Sequence, residues 1–358
     1  MQRALLVCHR WVALVASIVV VVVALTGSII VFEGAIDRAH NPRLWSVEPG
    51  ASVVSLDTMA AHARTAAPGV QVGGVSLAPV PSRAYVVQLG ALQVFVNPYT
   101  GAILGTRTVA DWNRTFPRRM HVLHVSLMAG KVGGEIVAAV TAACFLLVLS
   151  GAILWWPDKI LRVRWSASWK RVAFDLHHLS GIVAAVVILL ISASGMAMHY
   201  ETIGNLIARM DRIPPEERPD QPPAPPGTPV LSLDSAANTA RSTLPGAAVM
   251  FVQAPLRGDS PDVVAMRFPE DHTPGGRSRV FIDRYSGEVL LVESTRQAQL
   301  GTKLGNVMRS VHTGDVMGKP TEGIWLLAAL ALAGQAVTGV LMWWNARNAR
   351  SAATSTKK

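Results

Sequence analysis

Four stretches of the chain are almost entirely apolar, each about 20 residues long, and polar stretches separate them. A helix of that length rises about 30 Å, which is enough to cross the hydrocarbon core of a bilayer. The first stretch is too long for the apolar part of a cleavable signal peptide, and no small-residue cleavage site follows it. The pattern predicts four membrane-spanning helices, at roughly Trp11–Phe32, Ile136–Trp156, Gly181–Tyr200 and Gly323–Trp344.

The loop between the first two spans and the loop between the last two are long. Both carry short apolar patterns bounded by Gly and Pro, which are typical of strands. In the first loop we predict one helix and three strands, at Leu56–Ala67, Ala84–Leu89, Gln93–Val96 and Ala102–Thr106. In the second we predict one helix and four strands, at Ser235–Ser242, Ala247–Gln253, Val263–Phe268, Val280–Asp283 and Glu288–Glu293. Each loop therefore predicts a small α+β domain.

The chain also repeats itself. The first span aligns without a gap on the third, and the second aligns at a constant offset on the fourth. The loops agree as well, since VFVNPYTGAILGT is similar to VFIDRYSGEVLLV. Both halves begin on the same side of the membrane, so we predict a tandem parallel duplication. The alignment superimposes His9 on His177, Gly27 on Gly195, His124 on His312 and Gly151 on Gly339.

Composition supports a membrane protein, because half of the residues are hydrophobic, 16% are charged and the mean hydropathy is +0.34. The net charge of +10 does not require a nucleic-acid partner. Many of the Lys and Arg residues lie at the N-terminus, in the short link between the second and third spans, and in the C-terminal tail. The positive-inside rule places these three segments in the cytoplasm and both long loops in the periplasm.

The predicted fold class is a four-helix all-α membrane bundle with two extracytoplasmic α+β domains. The predicted order of segments is transmembrane helix 1 at 9–33, a periplasmic domain at 50–110, a His-bearing segment with transmembrane helix 2 at 121–156, a basic cytoplasmic loop at 157–176, transmembrane helix 3 at 177–201, a Pro-rich spacer at 213–229, a second periplasmic domain at 230–300, a His-bearing segment with transmembrane helix 4 at 309–344, and a cytoplasmic tail at 345–358.

Histidines stand at matching ends of the repeated segments. His9 and His177, which we call the inner pair, lie at the predicted cytoplasmic face, and His124 and His312, the outer pair, lie at the opposite face. Imidazole is the usual axial ligand of b-type haem, and two axial histidines leave the iron six-coordinate, which suits electron transfer. Ionisable groups at membrane spans are commonly functional. We therefore predict that each pair ligates one haem iron.

Three further histidines offer alternatives. His199 ends the third span at the depth of an outer haem, so it is an alternative partner for either member of the outer pair. His178 points about 100° away from His177 on a helix, so both do not easily ligate one iron. His121 lies three residues before His124 and is either a ligand or a hydrogen-bond donor to a haem propionate.

The depth of the outer pair depends on where the helices break. Eleven residues separate each outer histidine from the apolar run after it, so an unbroken helix would place the ligand about 18 Å beyond the span. We expect breaks that fold the histidines back, at Gly130, Gly133 and Gly134, and at Gly318, Pro320 and Gly323. The four glycines that stand beside Ser or Thr in the spans are interpreted as helix-packing contacts: Gly27, Gly151, Gly195 and Gly339.

The motif set HRW…TG, LH…G…SG..LWWP, HH..G…SG and HTGD.MG…TG..MWW resembles the PepSY-associated transmembrane family, with PepSY-like domains in the two loops. The resemblance covers nearly the whole chain. Members of this family include inner-membrane reductases of iron–siderophore complexes that carry b-type haems, and iron-regulated membrane proteins with no assigned role. The resemblance implies a haem-bearing, four-span electron-transfer protein in the inner membrane of a Gram-negative bacterium.

The predicted function is therefore that of a di-haem b-type enzyme that reduces a ferric siderophore, or another ferric chelate, in the periplasm. Reduction releases iron because hard oxygen ligands hold Fe(III) more tightly than Fe(II). The electron donor is unidentified, and the short cytoplasmic segments carry no Rossmann fingerprint. Two alternatives stay open: a non-enzymatic module whose PepSY-like domains regulate or dock a periplasmic partner, and an accessory component of iron–siderophore uptake. No proline occurs in the span cores, which disfavours a transporter.

Overall fold

The computed structural model describes residues 2–213, 217–225, 227–255 and 260–355. The predicted spacer at 213–229 lies in part outside the described residues. In chain order the helices and strands are α1 (Gln2–Ile30), α2 (Glu33–His40), α3 (Pro42–Trp45), α4 (Leu56–Arg64), β1 (Val72–Ser76), β2 (Tyr85–Leu89), β3 (Leu92–Val96), β4 (Ile103–Thr108), α5 (Val109–Arg114), α6 (Phe116–Ser126), α7 (Gly130–Trp155), α8 (Trp169–His199), α9 (Glu201–Ala208), α10 (Leu233–Thr243), β5 (Ala248–Gln253), β6 (Asp262–Arg267), β7 (Ser278–Ile282), β8 (Val289–Glu293), α11 (Leu300–Thr313) and α12 (Lys319–Ser355).

These elements divide into two compact units. The helical unit comprises Met1–Glu33, Phe116–Leu206 and Val307–Lys358, and the sheet unit comprises Gly34–Thr115 and Ile207–Asn306. The helical unit therefore holds the segments that the sequence predicted to span a membrane, and the sheet unit holds most of both long loops.

Among the described residues, four helices are long and apolar enough to cross a membrane, as the sequence predicted: α1, α7, α8 and α12. Helix α1 packs on α7 and α12, and α8 packs on the same two helices, so α1 and α8 lie diagonally in the bundle. The buried faces carry small side chains such as Ala16, Ala24 and Ala184, whereas Val15 and Val183 are 83% and 71% exposed. Small residues between helices and large aliphatic residues outside are typical of packing within lipid.

A sharp turn separates α6, which carries His124, from span α7. Leu127 and Met128 have φ values of 50° and 56°, and Gly130 has 57°. The left-handed conformation ends α6 because a helix cannot continue through it. The predicted break is present, but it lies nearer to His124 than expected.

The second half has its turn between α11 and α12. Gly314 and Gly318 have φ values of 81° and 78°, which glycine adopts without strain. Of the expected breakers, Pro320 and Gly323 lie within the first turns of α12, where proline is tolerated because its N–H would be unpaired in any case. Gly133 and Gly134 likewise lie inside α7, so expecting a break at these four residues was wrong.

All eight described strands form one antiparallel sheet, in the order β4-β3-β2-β1-β5-β6-β7-β8. The two loops therefore do not build separate sheets, which corrects the prediction of two separate domains. Strand β1 joins the halves, because Val75 lies opposite Val252 in the pairing of β1 with β5. The sequence analysis missed β1, whose sequence VGGVS contains two glycines that weaken the apolar pattern of a strand.

Both loops contribute to the main hydrophobic core of the sheet unit, and a smaller cluster of Val47, Ala84 and Phe95 lies within the first loop. Met59, Val75 and Val87 from the first loop are fully buried with Val252 and Val264 from the second. Burial alternates along β6, as in a strand with one covered face. Helices α4 and α10 pack on the sheet and on each other. Because this core is shared, neither loop buries its apolar face alone.

The two helices on the sheet cap each other. Asp234, in the first turn of α10, accepts hydrogen bonds from the main-chain N–H groups of Leu56 and Asp57, both at 3.0 Å. Asp57, in the first turn of α4, accepts in return from the N–H groups of Leu233 at 3.0 Å and Asp234 at 3.3 Å. A carboxylate at a helix N-terminus pairs N–H groups that the helix itself leaves free and complements the helix dipole.

These hydrogen bonds stabilise the ionised form of Asp57. Burial acts to raise the pKa of Asp57, but hydrogen bonding with Asp234 and with the main chain of Leu233 outweighs it, so the pKa lies below its usual value. The stabilisation is therefore present above the unfolded-state pKa of about 3.9 and is lost as the pH falls through the lower folded-state pKa.

Replacing Asp57 with Ala is expected to loosen α10 rather than α4, because Asp57 caps the partner helix. The free energy of local opening at the first turn of α10 should fall by about 1 kcal/mol. Hydrogen exchange of the full-length protein, read by mass spectrometry, measures it. The control is Ser55→Ala, which removes the acceptor for the N–H of Thr58 within α4 itself and should affect only α4. Faster exchange confined to α4 in the Asp57 variant would contradict the swapped capping.

Candidate functional site

The inner pair is held by hydroxyl groups of neighbouring spans. In α1, the Nδ1 atom of His9 lies 2.9 Å from Oγ of Ser150 in α7. In α8, the Nδ1 atom of His177 lies 3.0 Å from Oγ1 of Thr338 in α12. Each inner histidine thus contacts the other span of its own half of the chain, and both rings are partly buried.

The outer pair is held by main-chain carbonyl groups. Nδ1 of His124 lies 2.9 Å from the carbonyl oxygen of Val23 in α1, and Nδ1 of His312 lies 3.0 Å from that of Ile191 in α8. Helix α6 packs on both α1 and α7, so the turn before α7 brings His124 back against the first span. The two contacts are equivalent under the predicted repeat.

These partners determine the protonation state of the rings. A carbonyl oxygen only accepts, so Nδ1 of His124 and of His312 must donate. The hydroxyl of Ser150 already donates to the carbonyl of Leu147 at 3.1 Å, and that of Thr338 donates to the carbonyl of Gly334 at 2.8 Å, so both oxygens accept from the inner pair. All four rings therefore carry their proton on Nδ1 when neutral, and the lone pair of Nε2 is free to bind a metal.

Glycines give the four rings their space. A Cβ atom built at Gly27 would lie 2.9 Å from Cε1 of His124, and one at Gly195 would lie 3.0 Å from Cε1 of His312. At Gly151 and Gly339 the distances to Cε1 of His9 and of His177 are 3.4 and 3.5 Å. These glycines are therefore contacts between helices, as the sequence indicated, and the group that approaches each of them is an imidazole ring.

The outer rings face each other. The ring centroids of His124 and His312 are 6.2 Å apart, with an angle of 61° between the planes. Two metal–imidazole bonds of about 2 Å each, added to half of each ring, span about that distance. Beside the inner pair, the ring centroids of His177 and His178 are 6.0 Å apart, with an angle of 68° between the planes.

The two pairs are well separated along the bundle. In α1, His9 lies well before Val23, whose carbonyl meets His124, and in α8 the same separation divides His177 from Ile191. The separation is about four helical turns, so the inner pair and the contacts of the outer pair lie about 21 Å apart along the helix axes. The arrangement therefore forms two sites, one near each end of the spans.

The remaining predicted histidines have other partners. Nδ1 of His178 lies 2.9 Å from the carbonyl of Phe174 in its own helix. Nδ1 of His121 lies 3.1 Å from a carboxylate oxygen of Glu33. Nε2 of His199 lies 3.4 Å from a carboxylate oxygen of Glu135 in α7. The structure thus brings the outer pair together and places His199 against a carboxylate.

Two buried nitrogen atoms of the spans have no hydrogen-bond partner among the described residues: Nε of Arg10 and Nε2 of Gln335. The guanidinium of Arg10 lies over the ring of Trp11, 5.8 Å from its centroid. Arg10 follows His9 directly, and Gln335 lies one turn before Gly339 on α12. Unpaired buried donors are costly, and a guanidinium group suits an anionic partner such as a carboxylate. The sequence analysis did not single out Arg10, although it follows His9 as His178 follows His177.

The sequence analysis also did not assign the side-chain acceptors to the histidines. The signal was available, because Ser150 and Thr338 each precede a repeated glycine and coincide in the same alignment that superimposes the outer histidines. What the sequence did not show is which helix faces each ring, since these contacts join residues 141 and 161 positions apart.

The family model described as "PepSY-associated TM region" matches residues 6–346. Because the match covers nearly all of the chain, the protein belongs to the PepSY-associated transmembrane family. No curated protein matches the sequence. The family assignment confirms the resemblance that the motif set indicated, and together with the four apolar helices it shows a membrane protein.

The distance from each glycine to its neighbouring ring predicts that Gly→Ala substitutions will change the stability unequally. Gly27→Ala and Gly195→Ala should each destabilise the protein by about 1–3 kcal/mol, because the new methyl group displaces a ring that is hydrogen-bonded. Gly151→Ala and Gly339→Ala are the matched controls and should be close to neutral, since the added Cβ makes an ordinary contact. Thermal unfolding in one detergent, followed by circular dichroism, compares them. Equal losses at all four positions would show that the rings are not the constraint.

Proposed function

We propose that this protein is a di-haem b-type electron-transfer protein of the bacterial inner membrane, with one haem ligated by His9 and His177 and one by His124 and His312. The observation that carries the proposal is the common hydrogen bonding of the four rings, each of which donates its Nδ1 proton to a neighbouring helix. A histidine ligand whose other nitrogen donates a hydrogen bond is held in the tautomer and orientation that metal binding requires.

The residues present fit haem b. Four neutral imidazoles form two pairs, and a glycine leaves room beside each ring. Nε of Arg10, which follows His9 in the sequence, is buried and has no hydrogen-bond partner among the described residues. A guanidinium group would suit a propionate carboxylate. Haem b held by each pair of imidazoles would supply one-electron redox chemistry. The residues of the chain hold the ligands, fix their tautomers and leave Nε2 available.

We further propose a tandem parallel duplication with both termini in the cytoplasm and both loops in the periplasm. The charge distribution of the sequence supports this orientation. Under it, the inner pair serves the cytoplasmic leaflet and the outer pair the periplasmic leaflet. The separation of about 21 Å along α1 and α8 supports one site in each leaflet.

The proposed reaction is reduction of a ferric siderophore, or another ferric chelate, by one electron per iron. Chelators with hard oxygen donors hold Fe(II) less tightly than Fe(III), so the reduced iron is released. The substrate class rests on the resemblance to siderophore reductases, and the electron donor is a separate reduced carrier. The rival proposal, a regulatory or docking module built on the sheet unit, requires none of the four histidines.

Purified protein should contain two haem b groups per chain, with a Soret band. His9→Ala or His177→Ala should leave one, and so should His124→Ala or His312→Ala, because removing one axial ligand frees the haem of that pair only. Pyridine haemochrome absorbance measures the haem content. The control is His199→Ala, which should retain both haems because Nε2 of His199 faces Glu135.

The same preparations test the reaction. Protein reduced with dithionite should be reoxidised when a ferric trihydroxamate chelate is added, and a ferrous-specific chelator should detect Fe(II). Absence of haem from the wild-type protein would exclude the whole proposal. Haem that is present but not reoxidised would exclude the ferric substrate alone, and full biological function without the four histidines would favour the regulatory module.

The inner histidines donate to side chains and the outer histidines donate to the main chain, so we expect substitutions of the hydroxyl residues to affect haem binding only at the inner site. Ser150→Ala and Thr338→Val should weaken haem binding at the inner site about 10- to 100-fold, because Nδ1 then lacks an acceptor and the tautomer is no longer fixed. Thr26→Val and Ser194→Ala are matched controls. They should have little effect on the outer site, since carbonyl groups of the main chain remain as acceptors. Haem titration of the apoprotein, read by difference spectra, compares the four variants.

A further inference from the structure

The link between α7 and α8 forms a basic depression. It has a volume of about 570 Å³, and its lining includes the cations Lys159, Arg162, Arg164 and Arg171 and the ring of Phe174. Volumes of this size are typical of small-molecule sites. None of these residues belongs to the proposed haem sites.

A buried carboxylate holds two of the arginines in place. Asp175 is completely buried, and it accepts from Nε of Arg164 at 3.0 Å and from Nε of Arg171 at 2.9 Å. The main-chain N–H of Arg164 also donates to it, at 3.2 Å. The two guanidinium groups share one carboxylate, so a positive charge remains. Their side chains are still 44% and 38% exposed, which leaves them accessible to a ligand.

The other two cations are not neutralised by a carboxylate. Among the described residues Arg162 makes no ion pair, and Nζ of Lys159 lies over the ring of Trp156, 4.7 Å from its centroid. Asp158 and Asp175 are the carboxylates of the cluster, so the four cations leave a net charge of +2. Nη2 of Arg164 also donates to Asp175, at 3.1 Å, so the parallel N–H pair of that guanidinium is used by the carboxylate. The other N–H groups of the two fixed guanidinium groups, together with two further cations, match the charge and the acceptor oxygens of a phosphate group.

Exposed tryptophans place the depression at the level of lipid headgroups. Trp156, Trp165 and Trp169 are 66%, 73% and 57% exposed on the link and its flanking helix ends. Exposed tryptophans at the ends of membrane spans are typical of the interface between hydrocarbon and water. Basic residues at this depth attract anionic lipids.

We propose that this depression is a binding site for a phosphate group. Its position among the exposed tryptophans favours the phosphate of an anionic phospholipid over that of a soluble compound. Occupancy neutralises the excess charge and ties the link to the bilayer surface, close in sequence to the inner ligand His177. The inference depends on neither haem nor a reductase activity.

The test uses the full-length protein in nanodiscs of phosphatidylcholine with and without phosphatidylglycerol. Lipid retained after release is counted by native mass spectrometry. Arg162→Gln removes a cation of the site without disturbing Asp175, and it should lower the retention of phosphatidylglycerol about fivefold. The matched control is Arg3→Gln. It removes an exposed cation of α1, outside the depression, and should leave the retention of phosphatidylglycerol unchanged. A second arm measures the thermal stability of delipidated protein in inorganic phosphate.

Selective retention of phosphatidylglycerol that is lost only in the Arg162 variant supports a lipid phosphate site. Stabilisation by inorganic phosphate that is lost only in that variant, without lipid retention, supports the site with a soluble ligand. Retention that falls equally in the Arg3 variant, or no response to either phosphate source, overturns the proposal.

Discussion

The hydrogen bond from Nδ1 of each of the four paired histidines to a neighbouring helix is the interaction on which the proposed site depends. A free imidazole exchanges its proton between two nitrogen atoms and rotates about its side-chain bonds. In this protein the acceptor beside each ring removes both freedoms, and a glycine at the point of contact lets the ring approach the helix. The bond therefore connects the packing of the bundle directly to the chemistry that Nε2 offers. At the inner pair it also explains why Ser150 and Thr338 precede the glycines that the rings approach.

The helical unit and the sheet unit bury different kinds of side chains. In the helical unit most of the buried side chains are small, with Val20 and Ile188 among the few large aliphatic ones, and many large aliphatic side chains lie outside. In the sheet unit large aliphatic side chains fill the main core under a continuous sheet. The sheet unit joins its two loops by three kinds of contact: the pairing of β1 with β5, the shared core, and the carboxylates that cap each other's helices. One loop without the other would expose a strand edge and an apolar face.

The two histidine pairs differ in the groups that hold their rings. At the inner pair the acceptors are side chains, so the tautomer of each ring depends on a residue that selection can replace. At the outer pair the acceptors belong to the main chain, so the same restraint follows from backbone geometry alone. The basic link adds charge close in sequence to His177, and there a fully buried aspartate orders two arginines. The acceptors and the added charge therefore distinguish the two ends of the bundle, although each end carries one histidine from each half of the chain.

Much of this protein follows from local sequence, because hydrophobic length, strand alternation and repeat spacing are local or periodic properties. They determined the four spans, seven of the eight strands and the candidate histidines. Only the tertiary structure decided that both loops share one sheet, since β1 has a weak pattern and its partner β5 lies in the other half of the chain. Tertiary structure likewise decided which Ser, Thr or carbonyl group meets each ring, where α6 turns back, and that His199 faces Glu135. Contacts of that kind depend on how distant segments pack, and no local pattern of apolar and polar residues encodes them.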